Sequence, residues 1–187
     1  MAKNIKREII EWAVFFLIGG GLYFTGYHTV VIGTLQRIVL STGIFQPSEN
    51  EANVLADYDL VLEDLDGNTL DLADWKDKPI FLNFWATWCP PCIAEMPDIN
   101  KLYQLVNKEV YFAIISVDED RKKAKTFAKR KDFDFPIYFP KSRLPKVYES
   151  TTIPTTYVIN TKGQIVISQR GMAKYSSDAF ISYLRGL

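Results

Sequence analysis

Both cysteines of this 187-residue chain fall in one short segment, Trp88-Cys89-Pro90-Pro91-Cys92, and that placement constrains the fold more than any other feature. Just before the segment runs Ile80 to Trp85 (IFLNFW), a near-continuous apolar stretch that predicts a buried strand. Just after it, Ile93, Met96, Ile99, Leu102, Leu105 and Val106 recur at helical spacing between Cys92 and Lys108. The pair therefore ends a strand and opens a helix. At the positive end of a helix, the macrodipole and free N–H groups lower a thiol pKa from near 8.5 to about 3.5–7.5. Cys89 is expected to be exposed at the helix mouth and partly ionised at neutral pH. Cys92, one turn on, is expected to be more buried and placed to attack Cys89 in a mixed disulfide. Pro90 and Pro91 suit a first helical turn, whose N–H groups have no intrahelical acceptor to lose.

Such an exchange needs no metal, no histidine and no cofactor beyond the Cys89-Cys92 disulfide and dithiol. Two other readings compete, a structural disulfide and half of a metal site. Closing so short a loop stabilises little, and two cysteines with the single histidine, His28, cannot complete a four-ligand zinc site. His28 lies far in sequence from the cysteines and reads as an interfacial side chain. A balance of 22 basic against 22 acidic residues gives no reason to expect nucleic acid as a partner. The 48% hydrophobic content is enough for a packed core.

The neutral total conceals a basic N-terminal part. Residues 1–46 carry Lys3, Lys6, Arg7 and Arg37 against Glu8 and Glu11. From Trp12 to Ile32 no acidic or basic side chain interrupts the chain apart from His28. A helix of that length covers about 30 Å, the thickness of a bilayer's hydrocarbon. The reading is a retained transmembrane anchor over residues 12–32, preferred to a cleaved signal peptide or a soluble helix. The preceding cations favour a cytoplasmic N-terminus, which places the rest of the chain outside the membrane. Residues 34–45 read as an interfacial amphipathic segment, so 1–46 form the anchor. Residues 47–53 (PSENEAN) read as a linker and 54–187 as one domain.

Within that domain strands and helices alternate. Tyr58 to Leu62 and Thr69 to Leu72 flank the turn signal Asp66-Gly67-Asn68 and suggest an opening hairpin. Val110 to Val117 (VYFAIISV) is a second buried strand. Asp120 to Lys131 predicts a charged helix with Ala124, Phe127 and Ala128 inward; its basic run reads as a solvated face in preference to an anionic-lipid contact. Ile137 to Phe139 is a short strand. Thr155 to Asn160 and Gln164 to Ser168 form a hairpin through Thr161-Lys162-Gly163, and a last helix runs from Ser176 to Arg185. Periodicity alone leaves several α/β folds open.

The segment Phe84-Trp85-Ala86-Thr87-Trp88-Cys89-Pro90-Pro91-Cys92, followed by Glu95, Met96 and Pro97, resembles the active-site segment of the TlpA/ResA-like, membrane-anchored thioredoxin-fold disulfide reductases. Ile153-Pro154-Thr155-Thr156-Tyr157-Val158-Ile159 resembles that family's cis-proline strand. The resemblance covers roughly residues 54–187 and is loosest over 118–150. It implies a thioredoxin-like α/β fold with a central mixed sheet flanked by helices, an N-terminal β-hairpin extension and a transmembrane helix before it. It also implies that Pro154 is cis and faces the dithiol, with Ile153 offering its backbone to an extended substrate chain. Glu95 is implied to move protons to or from the buried thiol. Thioredoxins proper carry a buried aspartate where this chain has Asn83, and an amide cannot shuttle that proton. Trp88 is expected to wall the dithiol, Trp85 to lie in the core, and Pro97 to play a structural part within its helix.

The function expected is a membrane-tethered thiol-disulfide oxidoreductase that reduces disulfides in extracytoplasmic (periplasmic) client proteins. Electrons would come from a membrane donor protein. Two other functions are weighed: a peroxiredoxin-like peroxidase, and a non-enzymatic envelope peptide-binding module. The first is disfavoured because Thr87 stands two residues before Cys89 and both cysteines share one motif. The second is disfavoured because the dithiol chemistry is retained.

Overall fold

A computed structural model of the chain describes residues 2–25, 27–43, 45–47 and 49–187. Two helices come first, α1 (Ala2–Thr25) and α2 (Tyr27–Ser41). The single helix expected over residues 12–32 is therefore divided between two elements, and Gly26, within that stretch, lies outside the described residues. Among the described residues no helix is long and apolar enough to cross a membrane. The segment read as interfacial is the second half of α2, which packs against the domain's central helix and buries Leu40.

Among the described residues eight strands follow, interleaved with three α-helices: β1 (Glu49–Leu55), β2 (Val61–Asp64), β3 (Thr69–Asp71), β4 (Ile80–Trp85), α3 (Pro90–Val106), β5 (Tyr111–Ser116), α4 (Arg121–Lys131), β6 (Ile137–Pro140), β7 (Thr155–Ile159), β8 (Gln164–Arg170) and α5 (Asp178–Arg185). They form one mixed sheet in the order β1-β8-β7-β4-β5-β6-β2-β3. β4 pairs in parallel with β5, and β5 with β6; every other pairing is antiparallel. The opening hairpin is β2-β3, beginning three residues later than the sequence suggested.

Residues 49–53 correct the sequence reading. Expected as linker, they belong to β1, the edge strand laid along β8, with Glu49 opposite Ile167 and a register shift before Val54. The edge of a sheet offers unpaired backbone N–H and C=O groups to any extended chain, whatever its side chains. A polar sequence is no obstacle there.

Alternation along β4 sets up the site. Phe81 and Trp85 point to the face covered by α3, α4 and α5, in a cluster with Met96, Ile99, Phe127 and Phe180. Ile80, Leu82 and Phe84 point to the other face, against Leu60, Leu72 and Tyr148. The strand has period two, so Asn83 falls between Phe81 and Trp85 on the α3 face. All six β4 residues are buried, as a central strand covered on both faces requires.

Candidate active site

The cysteine pair sits where β4 gives way to α3. Cys89 is the N-cap of α3, in extended backbone conformation, and both prolines occupy the first helical positions. The two sulfurs are bonded at 2.07 Å. The N–H of Cys92 donates to Sγ of Cys89 over 3.3 Å, so the sulfur takes the place a capping oxygen usually fills. A thiolate at Cys89 would receive the same N–H, which favours the charged form. Cys92 is completely buried, and Cys89 is only 4% exposed. The order of burial matches the sequence reading, but Cys89 is far less open than expected. Its sulfur is engaged by Cys92 on one side and lies 3.7 Å from the carbonyl oxygen of Ile153 on the other.

The Ile153-Pro154 peptide bond is cis, and Pro154 is buried immediately before β7. Sheet order puts β7 beside β4, which brings this loop to the end of the sheet where the disulfide lies. Trp88 is beside the pair in sequence but turns outward, 61% exposed, so it rims the site instead of covering it. Trp85 is core.

Glu95 lies one turn beyond Cys92 on α3 with no exposure to solvent. Its Oε1 accepts from Nδ2 of Asn83 at 2.9 Å and its Oε2 from the N–H of Ala173 at 3.1 Å. Burial raises its pKa to about 8; the bonds from Asn83 and Ala173 pull the other way, and Asp98 adds to the rise. Asn83 also donates to Oγ1 of Thr156 at 2.9 Å, and the buried hydroxyl of Tyr175 donates to the same oxygen at 2.7 Å. Asn83 and Thr156 are cross-strand partners in the β4-β7 register, which is why the two polar residues meet. Asp98, three residues after Glu95, accepts from the N–H groups of Tyr175 and Ser176 and from the Ser176 hydroxyl. Together the two carboxyls tie the segment before α5 to the helix that carries the cysteines.

A second polar cluster, not foreseen from the residue pattern, fixes the loop before Cys89. Asp118, nearly buried after β5, accepts from the N–H of Thr87 (3.0 Å), the Thr87 hydroxyl (2.7 Å) and the Ser116 hydroxyl (2.8 Å). Removing the acceptor leaves the part-buried donors of Thr87 and the buried Ser116 hydroxyl without it. Asp118→Ala is therefore expected to destabilise the protein by roughly 2–4 kcal/mol, read as a lower denaturation midpoint. A variant as stable as its parent would mean that the loop holds without these bonds.

A cysteine pair at a strand-to-helix junction, capped by a backbone N–H and backed by a cis-proline loop, is the redox centre of a thioredoxin-type disulfide-exchange protein. Comparison with known proteins agrees. The Redoxin family model matches residues 49–180. The thiol-disulfide oxidoreductase ResA of Bacillus cereus is 36% identical over 173 residues, covering 91% of each chain. ResA of Bacillus subtilis is 30% identical over 166 residues, 88% of this chain and 85% of that one. Among solved structures, StoA of Bacillus subtilis is similar with a TM-score of 0.56 at 25% identity, covering 70% of this chain and 97% of that one. The exposed lipoprotein thioredoxin Etrx1 of Streptococcus pneumoniae gives 0.58 at 26%, covering 68% and 98%. The chain belongs to the Redoxin family, and within it to the TlpA/ResA-like thiol-disulfide oxidoreductases.

Proposed function

We propose that the chain is a membrane-tethered disulfide reductase of extracytoplasmic proteins, with Cys89 as nucleophile and Cys92 as resolving thiol. The observation that carries this is the Cys92 N–H directed at Sγ of Cys89 at the start of α3. The Cys89 thiolate attacks one sulfur of a client disulfide, and the other client sulfur leaves as a thiolate and takes up a proton. Cys92 then passes its proton to Glu95 in the fraction of molecules whose carboxyl is ionised and attacks Cys89; the second client sulfur leaves as a thiolate and takes up a proton, and the Cys89-Cys92 disulfide forms. Two electrons pass to the client, and a membrane dithiol donor returns them. Complete burial of Cys92 penalises its thiolate and keeps it a neutral thiol until Cys89 has been engaged. Ile153 presents its backbone to the client chain, Pro154 brings no competing N–H, and Trp88 packs on the client from the rim.

Residues 1–46 act as the anchor and 54–187 as the catalytic domain. Ile9, Ile10, Trp12, Val14, Phe15, Phe16, Leu17 and Ile18 on α1 are each at least half exposed, and a lipid contact through residues 12–32 would cover those that lie within it. Lys3, Lys6 and Arg7 before them favour an N-terminus on the cytoplasmic side. That a similar structure is an exposed lipoprotein thioredoxin supports a domain outside the membrane.

The test is trapping. Cys92→Ser, incubated with an oxidised client protein, is expected to accumulate an adduct on Cys89 that collapses with dithiothreitol on a non-reducing gel. Absence of an adduct, or an equal yield from Cys89→Ser, would overturn the assignment of roles.

A further inference from the structure

We propose that a basic cleft beside the dithiol docks an acidic segment of the client polypeptide. This rests on the reading of the chain as a reductase of protein clients. The cleft, about 500 Å³, runs between α2, the loop before Cys89 and α4. Its volume is that of a binding pocket. Five cations line it: Arg37 from α2, and Lys122, Lys123, Arg130 and Lys131 from α4. Among the described residues none of the five forms an ion pair with a carboxylate. The one acid in the wall, Asp120, caps α4 by accepting from the N–H of Lys122 at 3.0 Å. The acids nearest this run, Asp120 and Asp132, cap the two ends of α4, and the cations stand between them. Clustered charge of one sign in a recess raises the local concentration of the opposite charge and steers its approach.

Position selects the occupant. Thr87 and Ile93, which bracket the Cys89-Cys92 loop, form the wall nearest the disulfide, and buried Phe127 adds an apolar surface. A chain segment seated there lies beside the loop that carries Cys89. A flat bilayer meets protruding cations and has no need of a recess walled by the active-site loop. The helix itself is built for one sign: α4 (RKKAKTFAKRK) has seven basic residues in eleven and no acidic one. Such like-charge crowding on consecutive turns destabilises a helix, and an anionic partner relieves it.

The full chain in neutral detergent is offered two disulfide peptides, one with aspartate and glutamate around the cysteines and one with serine and glutamine. At low ionic strength kcat/KM is expected to favour the acidic peptide about tenfold, and the preference should vanish at about 0.5 M salt. Lys122→Glu/Lys123→Glu should bring the ratio to about one; acidic residues are welcome in a first helical turn, so the variant is expected to fold. Lys146→Glu/Lys162→Glu, which changes the net charge equally at exposed sites away from the cleft, should keep the preference. A fluorescent acidic peptide with serines for cysteines measures docking without turnover. Docking of that peptide with no reduction of either disulfide peptide would refute the reductase reading and leave the cleft standing. Equal rates for the two peptides, a preference indifferent to salt, or a ratio unchanged in the Lys122/Lys123 variant would overturn the cleft. So would inert-peptide binding no tighter than that of its neutral counterpart, while nanodiscs of phosphatidylglycerol bind in a manner lost in the variant.

Discussion

Cys89→Ser is expected to lower disulfide reduction by roughly a thousandfold or more, to the background of the uncatalysed exchange. The serine hydroxyl occupies the same cap and accepts the same N–H of Cys92, so the helix start survives. Chemistry does not survive, because an alkoxide is inaccessible near neutral pH and an oxygen cannot form the mixed disulfide. Cys92→Ser should behave differently. It retains the attack, consumes one client disulfide per chain and stops as the adduct. A burst of one equivalent followed by arrest therefore separates the two variants, whereas equal residual turnover in both would mean that the sulfurs do not act in sequence. The measurement is insulin or model-peptide reduction followed from the first turnover.

The order of elements was largely legible because hydrophobic period and turn chemistry agreed. Ile80 to Trp85 reads as a buried strand and is β4; the apolar spacing after Cys92 is α3; Asp120 caps α4; and Ser177 caps α5. Polar segments defeated the same reasoning. β1 carries no apolar alternation over residues 49–53 and becomes a strand only because β8 has an edge to offer. The site was legible in its covalent part for a similar reason. A cysteine spacing is local, and so is a proline. Glu95 was found through resemblance, but its environment depends on a strand register that no local pattern encodes. Asn83 faces Thr156 only because β4 and β7 pair as they do, and Tyr175 reaches them from beyond β8. The substitution of an amide for the aspartate of thioredoxins acquires a meaning in this arrangement. Asn83 holds the carboxyl of Glu95 by a hydrogen bond, so the ionisable group of this buried cluster stands on the helix that carries the cysteines. Asp118 was missed because an acid after an apolar strand reads as a solvated loop residue, and only the fold shows it turned toward Thr87.

Glu95→Gln is expected to change the pH dependence of both stability and rate. In the folded protein the Glu95 carboxyl is pushed up to about 8 by burial, against an ordinary value of 4.5. Below pH 4.5 it is protonated in folded and unfolded chains alike and contributes no difference. Between about pH 4.5 and 8 the unfolded chain releases the proton and the folded chain keeps it, so the folded state loses stability steadily as pH rises. Above 8 both are ionised and the loss is complete. At about 1.4 kcal/mol per pH unit the full span is roughly 5 kcal/mol, an upper bound that structural relaxation around the charge reduces. Glutamine cannot titrate. Denaturant unfolding of the oxidised parent and variant at pH 5, 7 and 8.5 should show the parent losing stability relative to the variant across this window, with other carboxyls cancelling in the comparison. For the rate, a group that releases its proton near pH 8 can accept from and return to the Cys92 sulfur around neutrality, and its removal is expected to cost at least about tenfold. The variant's profile should also lack the parent's inflection near pH 8. Parallel stability slopes in the two proteins would place the Glu95 proton in the ordinary carboxylate range. A slower variant that kept the inflection would reduce Glu95 to a strut between α3 and Ala173.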